Sequence, residues 1–187
     1  QSLVNLSLLE DSGTASVVLS SAFMDIDGDE LNYSVTLSSE DIFTAEINGD
    51  TLNITTIENA YGGPVIATVT ALDHPGGTPA SDNFEIMITG VNDPPILTQI
   101  DDQTINEDSY LVYSMSAYDI DGDNLIYDGQ ISGNGIINII GNILSVTPNP
   151  DYYGDIDITI SVSDDAYTDS TDFTLTVNAV NDAPIVS

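Results

Sequence analysis

The sequence contains one set of short motifs twice, in the same order, and this duplication constrains the fold more than any other feature. The spacing between equivalent motifs drifts by a few residues, as expected when loops change length after a duplication. We therefore predict two domains, residues 1–95 and 96–187, each within the usual size of a small domain. The matched motifs, first copy before second, are Glu10-Asp11 with Glu107-Asp108, Asp25-Ile26-Asp27-Gly28-Asp29 with Asp119-Ile120-Asp121-Gly122-Asp123, Asp73 with Asp164, and Val91-Asn92-Asp93-Pro94-Pro95 with Val180-Asn181-Asp182-Ala183-Pro184.

Within each copy, apolar and polar residues alternate with a period of two, which predicts β-strands. The alternation is clearest in the run Ile156–Val162, and no segment shows helical periodicity. Each copy has about seven such runs at intervals of about 8–12 residues, a spacing typical of an immunoglobulin-like sandwich. The second strand of each copy is predicted at Val17–Phe23 and Tyr110–Ala117. The predicted fold class is all-β, with two tandem Greek-key β-sandwiches in line.

The acidic side chains of this chain have no basic partners. The 187 residues include 31 Asp and Glu, no Lys, no Arg and one His, which gives a formal net charge of −31. Basic side chains are needed to bind nucleic-acid phosphates and anionic lipid, so we expect no nucleic-acid partner. No apolar run approaches the roughly 18 residues of a membrane span, so we expect no membrane insertion. A hydrophobic content of 41% indicates a packed core rather than a disordered acidic tail. The carboxylates must therefore be solvated or neutralised by external cations.

Two loops carry three aspartates at alternate positions. Like charges packed this densely repel one another, and a bound divalent cation offsets the repulsion. Because a chain without cysteine offers mainly oxygen ligands, Ca²⁺, which takes about 6–8 oxygens in a flexible geometry, fits better than Zn²⁺ or copper. The alternative interpretation is a solvated polar turn, since Asp and Gly are common turn residues. The six aspartates are Asp25, Asp27, Asp29, Asp119, Asp121 and Asp123.

An EF-hand does not explain these loops. That motif has acids at positions 1, 3 and 5, Gly at position 6 and Glu at position 12, between two helices. Here Gly28 and Gly122 fall at position 4, and position 12 is Thr36 or Gln130. The EF-hand interpretation is therefore rejected.

Five motifs in a fixed order connect each copy to a known family. In the second copy they are the acidic pair Glu107-Asp108, the loop Asp119–Asp123, the segment Pro148–Gly154, the run Val162–Asp164 and the closing motif Val180–Pro184. Each copy resembles a cadherin-type repeat, in particular the bacterial cadherin-like repeats found in tandem in very large surface adhesins and in some secreted polysaccharide-degrading enzymes. The resemblance implies cadherin-like β-sandwiches with Ca²⁺ at the junction between successive domains.

The resemblance also implies which residues ligate the ions. The base of the first domain, the linker and the top of the second domain each contribute. The implied ligands are Glu10 and Glu58 from the first domain, Asn92 and Asp93 from the linker, and Asp119, Asp121 and Asp164 from the second domain, with Asp11 and Asp123 as additional candidates.

The same mapping leaves half a site at each end of the chain. We expect the chain either to belong to a longer array or to assemble end to end with further copies through these halves. The candidate ligands are Asp25, Asp27, Asp29 and Asp73 at the top of the first domain, and Glu107, Asp151, Asn181 and Asp182 at the base of the second.

The predicted function is a calcium-rigidified structural and adhesive module, a spacer or filament segment at the cell surface or outside the cell. The alternative is a carbohydrate-binding accessory module of a secreted polysaccharide-degrading enzyme, with surface glycans or other adhesins as partners. We do not expect an enzyme, because no nucleophile-elbow sequence accompanies His74 and the second copy has Asp165 in its place.

Overall fold

A computed structural model of the protein describes residues 2–183, which divide into two compact units between Val91 and Asn92. Pro184 of the second closing motif lies outside the described residues, as do Gln1 and residues 185–187. Each unit consists of facing β-sheets, so the predicted all-β, immunoglobulin-like fold is confirmed. No helix in residues 2–183 has the length and apolar character needed to cross a membrane.

Unit 1 contains seven strands within its described residues: β1 (Leu6–Leu9), β2 (Thr14–Val18), β3 (Asn32–Leu37), β4 (Phe43–Asn48), β5 (Thr51–Thr56), β6 (Gly62–Leu72) and β7 (Ala80–Thr89). One sheet has the order β1-β7-β6-β3 and the other has the order β2-β5-β4. β1 runs parallel to β7, whereas the other pairings are antiparallel.

Unit 2 repeats this arrangement and adds a short pair of strands. Within residues 92–183 its strands are β8 (Ile96–Leu97), β9 (Gln103–Asn106), β10 (Leu111–Ser114), β11 (Ala117–Tyr118), β12 (Ile126–Ile131), β13 (Gly135–Ile140), β14 (Ile143–Pro148), β15 (Gly154–Ser163) and β16 (Thr168–Asn178). The two main sheets have the orders β12-β15-β16-β9 and β10-β14-β13. β8 pairs antiparallel with β11.

The alternating pattern places one face of each strand in the core. Ile156, Ile158, Ile160 and Val162 of β15 are buried, while the residues between them lie outward or at the partly buried edge. Full burial of such a side chain stabilises the fold by roughly 1.5–3 kcal/mol relative to leaving it exposed. Each unit has its own apolar cluster of this kind, so the aspartates are confined to the loops and the outer faces.

The second strand of each unit is shorter than predicted. β2 ends at Val18, and Leu19–Ser21 form a single 3₁₀ turn in which the Ala22 amide donates to the Leu19 carbonyl oxygen (2.9 Å). In unit 2 the strand is interrupted between β10 and β11, where the Met115 amide donates to the Asn142 carbonyl oxygen (2.9 Å). Leu19 and Met115 are both buried at the break. The strands predicted at Val17–Phe23 and Tyr110–Ala117 exist, but both predictions ran past the strand end because the apolar pattern continues across this change of partner.

Candidate metal centre

The aspartate-rich loop of unit 2 is folded around its first aspartate. The Oδ1 atom of Asp119 accepts hydrogen bonds from the amides of Asp121 (3.0 Å) and Asp123 (3.2 Å). Gly122 has a φ of +78°, a conformation that glycine adopts without steric cost and that lets the chain turn back. As a result, one oxygen atom from each of the three carboxylates lies within 4.8 Å of the others.

One oxygen atom in this loop is buried without a partner. Asp119 is 7% exposed, and its Oδ2 atom accepts no hydrogen bond from any residue in the described range 2–183. Leaving a buried polar atom unsatisfied costs about 1–3 kcal/mol, and more when the group is charged. A cation bound at Oδ2 removes that cost, so the donor set of this loop fits a hard divalent ion.

The residues directly after Val91 fold onto this loop within unit 2. The amide of Asp93 donates to Oδ2 of Asp121 (2.8 Å). The side-chain amide of Asn92 donates to Oδ2 of Asp164 (2.9 Å) and to the Asp93 carbonyl oxygen (3.1 Å). Unit 2 therefore brings together all five of its predicted ligands, and Asp123 completes the carboxylate group.

The titration of two aspartates reflects this environment. Hydrogen bonds hold the pKa of Asp164 below its usual value, first that from the Tyr167 amide (2.6 Å) and then those from the Asn92 side chain and the Ala166 amide. The pKa of Asp123 is raised, first by desolvation and then by the negative charges of Asp119 and Asp121. The hydrogen bonds thus stabilise the anionic form of Asp164. The raised pKa of Asp123 reflects, after desolvation, the negative charge of its neighbours, and that charge also attracts a cation.

The base of unit 1 has a second buried carboxylate. Glu10 is 3% exposed, and its Oε1 atom accepts a hydrogen bond from the Val91 amide. Its Oε2 atom has no hydrogen-bond partner within the part of the chain that the structure describes. Asp11 accepts a hydrogen bond from the Asn59 amide (3.0 Å), and Asp11 and Glu58 line one hollow of about 330 Å³. The three predicted ligands of this end are therefore neighbours.

The base of unit 2 repeats that geometry and adds one residue that the sequence analysis left out. Glu107 accepts a hydrogen bond from the Val180 amide through Oε1. Carboxylate oxygens of Asp108, Asp151 and Asp182 lie within 4.8 Å of one another on the surface. Asp108 was not among the predicted ligands, although it is the equivalent of the candidate Asp11 in the duplicated sequence.

Asn181 holds the last turn of unit 2 through its side chain. Its side-chain amide donates to the Asp182 carbonyl oxygen (3.0 Å), just as Asn92 donates to Asp93. The closing motif thus adopts the same local turn twice, which places Asp182 beside the acidic base of unit 2.

The top of unit 1 has the loop but no gathered carboxylate group. Asp25 accepts hydrogen bonds from the amides of Asp27 (2.8 Å) and Asp29 (3.1 Å), as its counterpart does in unit 2. Asp73 instead contacts His74, with Oδ2 lying 2.8 Å from Nδ1. The His74 backbone amide is the main cause that lowers the pKa of Asp73. In residues 2–183, this end of unit 1 forms no group of three carboxylates within 4.8 Å.

A comparison with protein families finds a match in the second unit. Residues 92–178 match the family described as bacterial Ig domain. No curated protein matches the chain.

Solved structures with related folds cover nearly the whole chain at low identity. An endo-fucoidan hydrolase from glycoside hydrolase family 107 is 19% identical, with a TM-score of 0.43 over 96% of this chain and 28% of that chain. Drosophila N-cadherin EC1-3 is 14% identical, with a TM-score of 0.43 over 94% and 65%. Titin domains z1z2 in complex with telethonin are 13% identical, with a TM-score of 0.42 over 97% and 95%. This chain thus spans 28% of the length of the hydrolase, and nothing about activity follows from these likenesses.

Proposed function

We propose that the chain is a non-catalytic, calcium-binding structural and adhesive module of a surface or secreted protein, acting as a spacer or filament segment. The observation that supports it most strongly is the buried Oδ2 atom of Asp119, which lies in a group of three carboxylates and has no hydrogen-bond partner in residues 2–183. The bacterial Ig domain match over residues 92–178 supports a module rather than an enzyme.

Calcium fits the donor set better than other cations. The groups on offer are carboxylate, side-chain amide and backbone carbonyl oxygens, which suit Ca²⁺ because it accepts about 6–8 oxygens without strict geometry. Mg²⁺ requires near-ideal octahedral coordination and gives up its waters reluctantly. The ligands proposed in unit 2 are Asn92, Asp93, Asp119, Asp121, Asp123 and Asp164. The resemblance to cadherin-type repeats adds Glu10, Asp11 and Glu58 as the ligands that unit 1 supplies.

A bound ion contributes positive charge that the chain itself lacks. The residues of the loop orient their oxygens through the hydrogen bonds to Asp119, so the protein does not have to reorganise when calcium arrives. An ion that binds the folded state and not the unfolded chain adds RT ln(1 + [Ca²⁺]/Kd) to stability. Extracellular modules bind calcium at about 10⁻⁴–10⁻³ M, so the proposed sites fill outside the cell. We propose that the filled sites restrict motion about the Val91–Asn92 linker.

Isothermal titration calorimetry tests the metal and its stoichiometry. Protein freed of metal with EDTA is titrated with CaCl₂ and, separately, with MgCl₂. We expect heat and saturation with calcium at millimolar concentration or below, and at least tenfold weaker binding of magnesium. The matched control is Asp128→Asn, which removes one exposed charge from β12 without touching the loop. Absence of calcium binding in the unmodified protein would falsify the proposed function.

Small-angle X-ray scattering tests the restriction of motion. Calcium should narrow the distribution of interatomic distances, and EDTA should restore the broad one. The thermal midpoint should rise with calcium in the same samples, because ligand binding stabilises the folded state. If calcium binds by calorimetry but leaves both the scattering and the melting unchanged, then the chain binds the ion without the structural role.

Two exposed tyrosines favour a carbohydrate-binding accessory module as a second candidate. Tyr110 and Tyr153 are both exposed, and each follows by two residues a member of the acidic group at the base of unit 2. An exposed aromatic ring offers a face on which a sugar stacks. A glycan array probed in calcium and in EDTA tests this candidate, with Tyr110→Ser and Tyr153→Ser as the variants. Binding that both substitutions leave intact would rule out the tyrosine face.

A further inference from the structure

The strand β13 forms a free edge of one sheet in unit 2. It pairs with β14 and with no other strand in the part of the chain that the structure describes. The Asn149 amide donates to the Asn134 carbonyl oxygen (2.8 Å) where this antiparallel ladder begins. Hydrogen-bonded and non-hydrogen-bonded positions alternate along such a ladder, so from Asn134 onward every second residue bonds to β14. The backbone N–H and C=O groups of Ile137 and Ile139, which lie between those residues, therefore point away from β14 and form the edge.

The inward side chains of β13 hold this edge in place. Ile137 and Ile139 pack against the apolar core of unit 2 and lie over Gly129 of the strand β12. A Cβ atom at Gly129 would lie 2.8 Å from Cδ1 of Ile137 and 3.0 Å from Cδ1 of Ile139, so the glycine makes room for both side chains. The edge is therefore ordered in advance, and a partner strand avoids the entropy loss that ordering a flexible segment incurs.

The outward side chains of β13 differ from those of its counterpart in unit 1, the edge strand β4. Glu46 and Asn138 each lie two residues before the end of their strand, and both face outward. Asn138 is flanked on this outer face by Ile136 and Ile140, which are 70% and 72% exposed. A charged side chain on an edge strand discourages pairing with another chain. Unit 1 has such a charge at the middle of β4, whereas β13 has none.

The sequence around β13 is also free of carboxylates. Residues 129–150 contain no Asp or Glu, and no stretch without an acid is longer in this chain of net charge −31. Two copies of so acidic a chain repel each other wherever their carboxylates meet, and a basic partner is attracted to the acidic loops rather than to this strand. The uncharged edge therefore suits a second copy of the same chain.

The sequence of β13 is symmetric about Asn138. The run Ile136-Ile137-Asn138-Ile139-Ile140 reads the same in both directions. When two such strands pair antiparallel with Asn138 at the centre, Ile137 lies opposite Ile139 of the second copy, and these are the residues whose backbone groups point outward. Each of these two pairs exchanges both of its N–H···O bonds. Asn138 then faces Asn138 of the second copy at a non-hydrogen-bonded position, where opposing side chains lie closest.

We propose that β13 pairs antiparallel with β13 of a second copy of the chain, about a two-fold axis at Asn138. The sheet β10-β14-β13 of one copy then continues into that of the other, and Ile136 packs against Ile140 of the second copy. The contact uses the same surface on both copies, so it closes as a dimer. A single strand pair buries less than the roughly 1,200–2,000 Å² of stable complexes, so the dimer forms at high protein concentration. The inference goes beyond the proposed function, because strand pairing does not need calcium.

Sedimentation velocity over a concentration series tests the dimer. Samples contain EDTA, which excludes contacts made through calcium, and 0.5 M NaCl, which screens the repulsion between acidic chains. We expect a reversible equilibrium between monomer and dimer. Asn138→Glu gives β13 the residue that β4 has and places like charges opposite each other, so it should weaken dimerisation about tenfold. Val112→Glu is the matched control, an exposed position on β10 at the far edge of the same sheet, and should change dimerisation less than threefold.

Three outcomes of this experiment contradict the proposal. A protein that stays monomeric throughout, or equal effects of the two substitutions, would overturn it. Association that appears only when calcium replaces EDTA would also overturn it, because the contact would then be made through the metal. Circular dichroism and melting curves establish that both variants fold as the unmodified protein does.

Disulfide trapping tests the register of the pair. The chain contains no cysteine, so a single introduced cysteine reports on one position only. At a non-hydrogen-bonded pair the two Cα atoms lie about 4.5 Å apart, within the range that a disulfide spans. Under mild oxidation we expect Asn138→Cys to form a covalent dimer at least tenfold faster than Glu46→Cys, the matched position in unit 1. Equal rates for the two variants would exclude the pairing, whether or not the protein binds calcium.

Discussion

The aspartate-rich loops of the two units have the same turn but differ in how close their carboxylates lie to one another. Asp25 and Asp119 each accept two amide hydrogen bonds from the residues two and four positions later. Only around Asp119, within the described residues, do the neighbouring carboxylates form a group within 4.8 Å. In unit 2, the Asp93 amide donates a hydrogen bond to Asp121 of this loop.

This contrast shows that the turn of the loop and the gathering of its carboxylates are separate properties. The pattern Asp-x-Asp-Gly-Asp is sufficient to set the turn, since it folds alike in both units. In unit 2, the side-chain amide of Asn92 also donates a hydrogen bond to Asp164, the counterpart of Asp73. Asp73 in unit 1 has no such donor in the described residues and contacts His74 instead.

The largest effect is expected for Asp119→Asn. The asparagine keeps the Oδ1 acceptor for both amides but removes the charge that faces the proposed ion. We expect calcium affinity at this site to fall about 10–100-fold. Asp25→Asn is the matched substitution in unit 1 and should leave that affinity unchanged. Calorimetry on both variants measures the difference, and a similar loss in both would mean that the two loops bind alike.

A smaller effect is expected for Glu10→Gln, which should make the calcium-free protein more stable rather than weaken it. The Gln side chain still accepts the Val91 amide but places no unpaired charge in a buried position. Stability of the calcium-free protein should rise by about 1 kcal/mol, because an unsatisfied buried charge is costly. Urea unfolding in EDTA, followed by NMR signals from each unit, measures this change. A loss of stability would mean that the Glu10 charge is already compensated. Glu107→Gln provides the comparison at the second base.

Gly28→Ala and Gly122→Ala test whether the two turns are locally equivalent. Both glycines have positive φ, +84° and +78°. Alanine in that conformation costs about 1 kcal/mol, so each variant should lose a similar amount of stability. Only Gly122→Ala should also weaken calcium binding in calorimetry. Unequal losses of stability in EDTA would show that the two loops differ before any ion binds.

The smallest effect is expected from Asp123→Asn, and it depends on pH. Because the pKa of Asp123 is raised in the folded chain, its ionised form destabilises the fold, and this penalty disappears as pH falls through the raised pKa. The calcium-free variant should melt slightly higher than the unmodified protein at pH 7 and equally below about pH 4. Asp128→Asn controls for the loss of one charge. Melting curves at both pH values measure the change, and a gain that persists at low pH would exclude titration of Asp123 as its cause.

For Asp164→Asn, the effect on the melting temperature should depend on pH in the opposite sense. Its pKa is lowered in the folded chain, so its ionised form contributes stability above the usual aspartate pKa, and that contribution is lost as pH falls through the lowered value. The variant should melt lower than the unmodified protein at pH 7, with the difference shrinking in acid. A difference that does not vary with pH would point to lost packing instead.

Much of the fold was predictable from the sequence because alternation and duplication are local signals. The β15 run from Ile156 to Val162 reads directly as a strand with one buried face. The end of β2 at Val18 was not predictable. Leu19, the first residue of the following 3₁₀ turn, is apolar and buried just as a strand residue would be. The aspartate loop was predictable from the spacing of its acids, and Asn92 and Asp164 entered the candidate site through the resemblance to cadherin-type repeats. The hydrogen bond between Asn92 and Asp164 was not predictable. That pairing depends on residues 72 positions apart in the chain.

The parallel pairing of the first and last main strands has a mechanical consequence for each unit. β1 lies beside β7 over Leu6–Leu9, and β9 lies beside β16 over Gln103–Asn106. When a unit is pulled by its two ends, parallel neighbours slide along each other, so their hydrogen bonds bear the load together instead of opening one after another. Single-molecule pulling measures this resistance as an unfolding force. The hydrogen bond from the Val91 amide to the Glu10 side chain lies directly after the end of the β1–β7 pair, so it adds one more bond that must break when these strands slide.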